Sequence, residues 1–92
     1  MNDTYASRHT HVRGRQWLGD NDAHVRELCP DFWRLDEPSD DDPDATAQLL
    51  AAPHSTWVLV RESDWVVTHP GGGYVRMTDE QFVAAYEPVV TP

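Results

Sequence analysis

The stretch from residue 63 to residue 88 constrains the fold more than any other part of the chain. It reads SDWVVTHPGGGYVRMTDEQFVAAYEP. Aromatic and β-branched residues on both sides of a proline–glycine cluster are typical of two strands joined by a turn. Consecutive glycines permit the positive φ angles that such turns need. The pattern therefore predicts a β-hairpin over residues 64–77, with its turn at residues 70–73.

A short helix is predicted directly after the hairpin. Thr78 followed by Gln81 is the pattern of a capping box, in which each side-chain oxygen accepts a hydrogen bond from the other residue's backbone N–H. Met77 and Phe82 have the spacing of a hydrophobic staple around this cap. Phe82 and Tyr86 fall on one helix face, so we expect both to pack against the sheet.

Two strands and one helix are predicted in the N-terminal part of the chain. The strands are residues 11–18 and 32–35, and the helix is residues 21–29. Val25, Leu28 and Cys29 share one face of that helix, so we expect them to be buried, with Cys29 acting as a small hydrophobe and not as a nucleophile. Residues 44–52 fit a short helix or a strand equally well. Another strand is predicted at residues 55–61, which are rich in aromatic and β-branched side chains.

These elements predict an α+β fold with a small antiparallel sheet of three to five strands and two short helices packed on it. We expect the strands at residues 57–60, 65–69 and 74–77 to form one sheet. A chain of 92 residues makes one domain. We predict that this domain spans residues 11–92, after a flexible polar tail at residues 1–10.

Charge narrows the class of partner. The 16 acidic and seven basic residues give a net charge of −9. A negative field opposes contacts with phosphate, so we predict that the protein does not bind nucleic acid. Six acidic residues and two prolines are concentrated in residues 36–44, which predicts an acidic surface loop.

No metal or cofactor site is predicted. The aspartates of residues 36–44 alternate as in a calcium loop, but Ala45 replaces its glycine and Ala51 replaces its bidentate glutamate. His9 and His11 lack a third ligand placed by the sequence, so we interpret them as solvated tail residues.

The expected location is the cytoplasm. Cys29 is the only cysteine and cannot form an internal disulfide, which fits a reducing compartment. No apolar run approaches the length of a transmembrane helix, and residues 1–11 have no hydrophobic segment of a signal peptide. We therefore predict that the protein has no membrane partner.

Two parts of the chain resemble a family of small proteins common in tailed phages and prophages. QWLGDN, residues 16–21, is similar to that family's QWTGDN opening. SDWVV at residues 63–67 and FVAAYEPV at residues 82–89 are similar to its C-terminal GDWII…GEFYPCKPDIFEATYEPV. Ser63 stands in place of the usual glycine, and residues 71–73 replace the Gly-Glu turn. The resemblance implies a compact α+β domain encoded by a phage or an integrated element, and it implies no activity.

An enzyme is the least favoured function. Asp64 and His69 lie on one predicted strand pair, whereas His54 and Ser55 are adjacent, and adjacent strand residues point to opposite faces. Neither pair makes a convincing nucleophile and base. We therefore predict no catalytic residues, with a small hydrolase as the remaining enzymatic alternative.

A binding domain is the favoured function. A domain of this size has little room for a deep pocket, and exposed tryptophans commonly anchor interfaces. We predict a non-catalytic accessory domain of phage or prophage type that binds a protein with a basic surface. The alternative is an acidic mimic of nucleic acid that inhibits a host nuclease or defence complex. The candidate binding residues are Asp36, Glu37, Asp40, Asp41, Asp42, Asp44, Trp33 and Trp57.

Overall fold

The computed structural model describes residues 4–6, 11–51, 56–69 and 72–88. These residues form eight strands and two helices, and the predicted α+β class is confirmed. In chain order the elements are β1 (Thr4–Ala6), β2 (His11–Gln16), α1 (Asp22–Leu28), β3 (Phe32–Arg34), β4 (Ala45–Ala51), β5 (Thr56–Arg61), β6 (Trp65–Thr68), β7 (Tyr74–Met77), α2 (Asp79–Ala85) and β8 (Glu87–Pro88).

The strands are divided between two antiparallel sheets. The larger sheet has the order β7-β6-β2-β1-β8, and the smaller sheet has the order β3-β4-β5. Our prediction that β5, β6 and β7 share one sheet was wrong for β5. Strand β6 pairs with β2 instead, because Ser63 adopts a φ of +76° and its N–H donates to the carbonyl of Trp17 at 2.7 Å. The chain therefore crosses from one sheet to the other at this turn.

The larger sheet is the middle layer of the domain. Val66 and Val67 are adjacent on β6 and point to opposite faces, as successive strand residues must. Val67 packs with Phe82 of α2 on one face, whereas Val66 packs with Trp17 and the smaller sheet on the other. Both helices were predicted to pack on one sheet, but α1 lies beside β2 and β3 and contributes to the core between the sheets.

The buried face of α1 agrees with its sequence pattern. Val25, Leu28 and Cys29 are buried, and they are the three residues predicted to share a face. Val25 and Cys29 pack in the same cluster as Phe32 of β3. The helix therefore closes one side of the space between the two sheets.

The predicted hairpin and C-terminal helix are confirmed. Strands β6 and β7 are paired, and Gly72 and Gly73 have φ angles of +99° and +83°. The other two residues of the predicted turn lie outside the described residues. Both hydrogen bonds of the capping box between Thr78 and Gln81 are present. Local sequence signals thus determine this part of the chain.

Strand β1 lies within the segment that we predicted to be a flexible tail. Tyr5 pairs with Val12, and its ring packs edge-on against Trp65 and Phe82 at centroid distances of 5.3 and 4.9 Å. An aromatic side chain with this contact surface is enough to hold a three-residue strand on the sheet. The remainder of the predicted tail lies outside the described residues.

The segment that fitted both a helix and a strand is strand β4. Ala47 and Leu49 are buried, whereas Gln48 and Leu50, which alternate with them, are half-buried. This period of two is the signature of a strand with one buried face.

We predict that Phe82→Ala lowers the free energy of unfolding by about 3–5 kcal/mol. Phe82 is 2% exposed, and its ring stacks on Trp65 at a centroid distance of 3.9 Å. Gly14 lies below the ring, where a Cβ atom would come within 3.2 Å of it, so the neighbours cannot easily close the cavity.

Urea denaturation of the variant and of Val83→Ala tests this prediction. Val83 is the next residue in α2 and is 66% exposed, so its replacement controls for the loss of an apolar side chain from the same helix. Equal losses for the two variants would show that the ring of Phe82 is peripheral.

Candidate functional site

The outer face of the smaller sheet presents two tryptophans to solvent. Trp33 lies opposite Gln48, which lies opposite Leu59, and Leu50 lies opposite Trp57. Trp33 is 47% exposed and Trp57 is 49% exposed. We call these five residues the tryptophan face. An exposed apolar surface of this kind is a usual feature of a binding site.

Helix α1 holds Trp33 in place. The guanidinium of Arg26 lies 4.5 Å from the centre of the Trp33 ring. Arg26 is itself fixed, because its Nε donates to the Phe32 carbonyl at 3.0 Å and an Nη donates to the Asp22 carboxylate at 3.2 Å. A cation–π contact at an exposed site contributes about 0.5–1 kcal/mol. Trp33 is therefore both exposed and ordered, which lowers the entropy cost of using it in an interface.

Asp64 and His69, which were considered as a catalytic pair, flank β6 at its opposite ends. Asp64 is buried, its carboxylate accepts the Arg61 N–H at 2.9 Å, and it forms an ion pair with Arg76 at 3.4 Å. His69 is exposed and follows the other end of the strand, about 16 Å away for five residues of extended chain. The carboxylate of Asp64 is thus used to fix the turn between the sheets. The other pair considered, His54 and Ser55, lies outside the described residues.

The acidic loop of residues 36–44 lies at the surface, as predicted. Five of its carboxylates are exposed and have no ion-pair partner among the described residues. They are Asp36, Glu37, Asp40, Asp41 and Asp44. Asp42 differs, because it accepts two hydrogen bonds from Arg61 at 2.8 and 3.0 Å. This contact ties the loop to the end of β5.

The contact with Arg61 also changes the acidity of Asp42. The hydrogen bonds from the guanidinium hold the pKa of the Asp42 carboxyl below its ordinary value. The ionised form of Asp42 is therefore the one that the fold stabilises. Asp42 was predicted to be a binding residue, and in the structure its carboxylate already has a partner inside the domain.

Described residues line two of the grooves at the surface. One has a volume of about 270 Å³ and lies beside the acidic loop, where Asp36, Glu37 and Glu62 line it together with Arg34. The other has a volume of about 370 Å³ and is mainly apolar. Its lining residues are Tyr5, Trp65, Phe82, Val83, Tyr86 and Glu87. The second groove could not be predicted, because Tyr5 was assigned to a tail.

Cysteine and histidine chemistry does not converge on a site in the described part of the chain. Burial raises the pKa of the Cys29 thiol to about 11, so little thiolate forms near neutral pH. His11 is exposed at the start of β2, and His9 lies outside the described residues. Among residues 4–6, 11–51, 56–69 and 72–88, no three His, Cys, Asp or Glu side chains are grouped to hold a metal ion.

Comparison with known proteins gives no relative. No protein-family model matches the chain, and no curated protein or solved structure matches it. The resemblance to a phage protein family therefore stays a prediction. Neither α1 nor α2, the two helices that the structure describes, is long and apolar enough to span a bilayer.

The two tryptophans were predicted from the sequence as binding residues, but the residues beside them were not. Leu50 and Leu59 complete the tryptophan face, and both are half-buried. The alternation in Ala45–Ala51 and Thr56–Arg61 is the signal that places them on the same face as Trp57. The alternation could not be used for prediction, because the first of these segments fitted a helix equally well.

We predict that Arg61→Gln raises the pKa of Asp42 toward the ordinary value of an aspartate. The hydrogen bonds from Arg61 are the largest cause of the lowered pKa. Since the pKa is lower in the folded state, the pair stabilises the fold at neutral pH and stops doing so as the pH falls through that lowered pKa.

Carboxyl ¹³C shifts recorded against pH measure this titration directly. Arg34→Gln is the control, because Arg34 lies 3.9 Å from Asp22 and forms no ion pair with Asp42. If Asp42 titrates identically in the wild type and in Arg61→Gln, the guanidinium is not the cause of the shift.

Proposed function

We propose that this protein is a non-catalytic domain that binds another protein through the tryptophan face and the acidic loop. The observation that carries the proposal is the pair of half-exposed tryptophans on the outer face of the smaller sheet. Tryptophan is enriched among the residues that contribute most to protein–protein affinity. Leu50 and Leu59 add apolar area between and beside the rings.

The charge around this face supports a basic partner. Five loop carboxylates have no ion-pair partner among the described residues, and the loop is tied to the smaller sheet where Asp42 binds Arg61. The whole chain has a net charge of −9. Charges at the rim of an interface steer a partner of opposite sign and raise the rate of association. The groove beside the loop has room for a lysine or arginine side chain between Asp36, Glu37 and Glu62.

The tryptophan face and the acidic loop are close enough for one partner to touch both. Residues 36–44 follow β3, which carries Trp33, and Asp42 binds Arg61 at the end of β5, which carries Trp57. A standard interface covers about 800 Å² on each protein. The two features therefore fit within one ordinary interface.

The setting of this function belongs to the same proposal. The resemblance to phage and prophage proteins favours a host or phage protein as the partner. The free thiol of Cys29 favours a reducing compartment, and hence the cytoplasm.

An acidic mimic of nucleic acid is the second candidate. The five exposed carboxylates support it, because a run of negative charge can occupy a site built for phosphates. A mimic depends on the loop and does not need Trp33 or Trp57. Competition between this protein and DNA for the captured partner, combined with unchanged binding by a tryptophan-free variant, would favour this candidate.

We predict that Trp33→Ala/Trp57→Ala abolishes capture of a partner that the wild type retains from a lysate of the encoding organism. Loss of an interface anchor costs about 2 kcal/mol or more per residue. Mass spectrometry of the retained proteins measures the effect.

Leu18→Ala/Val83→Ala is the matched control. Leu18 and Val83 are 57% and 66% exposed and lie outside the tryptophan face, so their removal should leave capture unchanged. Equal capture by both double variants would contradict a role for the tryptophan face.

We predict that neutralising the five free loop carboxylates slows association with the captured partner at low ionic strength. The variant is Asp36→Asn/Glu37→Gln/Asp40→Asn/Asp41→Asn/Asp44→Asn. Asp42 is left intact because its bond to Arg61 is structural. The difference from wild type should shrink above about 0.5 M salt, where screening acts within a few ångströms.

Surface plasmon resonance at several salt concentrations gives the association rate. Asp20→Asn/Glu80→Gln controls for exposed charge elsewhere on the domain. An unchanged association rate for the loop variant at low salt would mean that the loop does not steer the partner.

A further inference from the structure

The hydrogen bonds of β4 determine which backbone groups of β5 point outward. Leu50 N–H donates to the Asp31 carbonyl at 3.1 Å, and the Thr46 carbonyl accepts from Leu35 N–H at 3.0 Å. Leu50 and Thr46 therefore bond toward β3. Successive residues of a strand bond to opposite sides, so the odd-numbered residues of β4 bond toward β5.

The same alternation applies to β5. Thr56, Val58 and Val60 lie opposite the odd-numbered residues of β4. Their backbone groups complete the ladder between the two strands. The backbone groups of Trp57 and Leu59 consequently point away from the sheet, along an edge that pairs with no other described strand.

An ion pair covers only one end of this edge. The Asp64 carboxylate accepts a hydrogen bond from the outward Arg61 N–H at 2.9 Å, and the Arg76 guanidinium donates to the outward Leu59 carbonyl at 3.4 Å. Asp64 and Arg76 also bind each other at 3.4 Å. The Trp57 N–H, the Trp57 carbonyl and the Leu59 N–H have no hydrogen-bond partner among the described residues. A free row of this kind is a template for pairing with another chain.

We propose that an extended, basic segment of the partner adds to β5 as a fourth strand of the smaller sheet. The inference rests on the proposed function, because it takes the partner to be a protein with a basic surface. An antiparallel strand places one residue directly opposite Trp57, where it accepts from the Trp57 N–H and donates to the Trp57 carbonyl. The Leu59 N–H donates a third hydrogen bond to the added strand. Strand addition to an open edge is a common mode of peptide recognition.

The two faces of the added strand meet different chemistry. On the outer face its side chains lie beside Trp57, where an arginine can stack as Arg26 stacks on Trp33 in the same sheet. On the inner face they lie beside Val58, which is half-buried and packs on the core. The segment that fits therefore alternates basic and apolar residues.

Charge favours this occupant over a second copy of the chain. The acidic loop reaches the end of β5 through the bond between Asp42 and Arg61. A basic strand is attracted to that end, whereas a second copy carries a further net charge of −9. A basic segment is therefore opposite in sign to the net charge of the chain, whereas a second copy is not.

The test uses a capped synthetic peptide, (Arg-Val)₃, and amide hydrogen exchange measured by NMR on the full chain. In the free protein the amides of Trp57 and Leu59 should exchange rapidly, and those of Val58 and Val60 slowly, because only the latter pair with β4. Bound peptide should slow exchange at Trp57 and Leu59 by about tenfold or more, as expected for new backbone hydrogen bonds. Exchange at Val58 and Val60 should change little.

A matched pair of variants separates the backbone from the side chain. Leu59→Pro removes the outward N–H without removing a bond to β4, and proline is tolerated at such edge positions. Leu59→Ala removes the same side chain and keeps the N–H. We expect Leu59→Pro to weaken peptide binding about tenfold relative to Leu59→Ala and to abolish protection at Trp57. If the proline variant fails to fold, the exchange experiment on the wild type still tests whether the peptide pairs with β5.

The outcomes distinguish this inference from the proposed function. Strand addition is overturned if the peptide does not bind, or if it binds without protecting the amides of Trp57 and Leu59 from exchange. In either case the proposed function still stands if capture of a partner depends on the two tryptophans. Equal binding of (Glu-Val)₃ overturns the basic partner, and with it the proposed function. Protection in the free protein that increases with protein concentration indicates a second copy at the edge and also overturns strand addition.

Discussion

The buried indole of Trp17 joins the two sheets, and the rest of the structure depends on this junction. Its N–H donates to the Thr46 hydroxyl of β4 at 2.8 Å, and its ring packs edge-on against Phe32 at 5.0 Å. Its backbone donates to the Asp64 carbonyl at 2.8 Å and so continues the pairing of β2 with β6. One residue thus satisfies the polar group of a large buried side chain and positions both sheets. The smaller sheet must then turn its other face to solvent.

Sequence signals predicted the structure wherever the determining contacts are local. The capping box of Thr78 and Gln81 and the glycine turn of the hairpin act within a few residues, and both were predicted. The division into two sheets was not, because Thr56–Arg61 reads as the same strand whether it pairs with β4 or with β6. The choice is made by Trp17 and Ser63, which are far apart in the sequence and whose pairing has no local pattern.

The candidate site was likewise predictable from the sequence only in part. Composition alone predicted an exposed acidic loop, because a stretch so rich in aspartate cannot bury itself. Residue type alone could not show which of the four tryptophans are buried and which are exposed. Trp17 is buried, Trp65 stacks on Phe82, and only register places Trp33 and Trp57 on the outer face. The bond between Asp42 and Arg61 also joins residues from separate elements, so composition could not separate Asp42 from its neighbours.

An open strand edge beside an exposed tryptophan favours aggregation, because it can pair with identical edges. The ion pair of Asp64 and Arg76 protects the half of the edge next to the turn between the sheets. Trp57 lies on the other half, where no described side chain takes its backbone groups. Repulsion between copies that each carry a net charge of −9 opposes self-pairing there. Under our proposal the same charge attracts a basic segment, so one property of the chain both opposes self-pairing and favours the proposed partner.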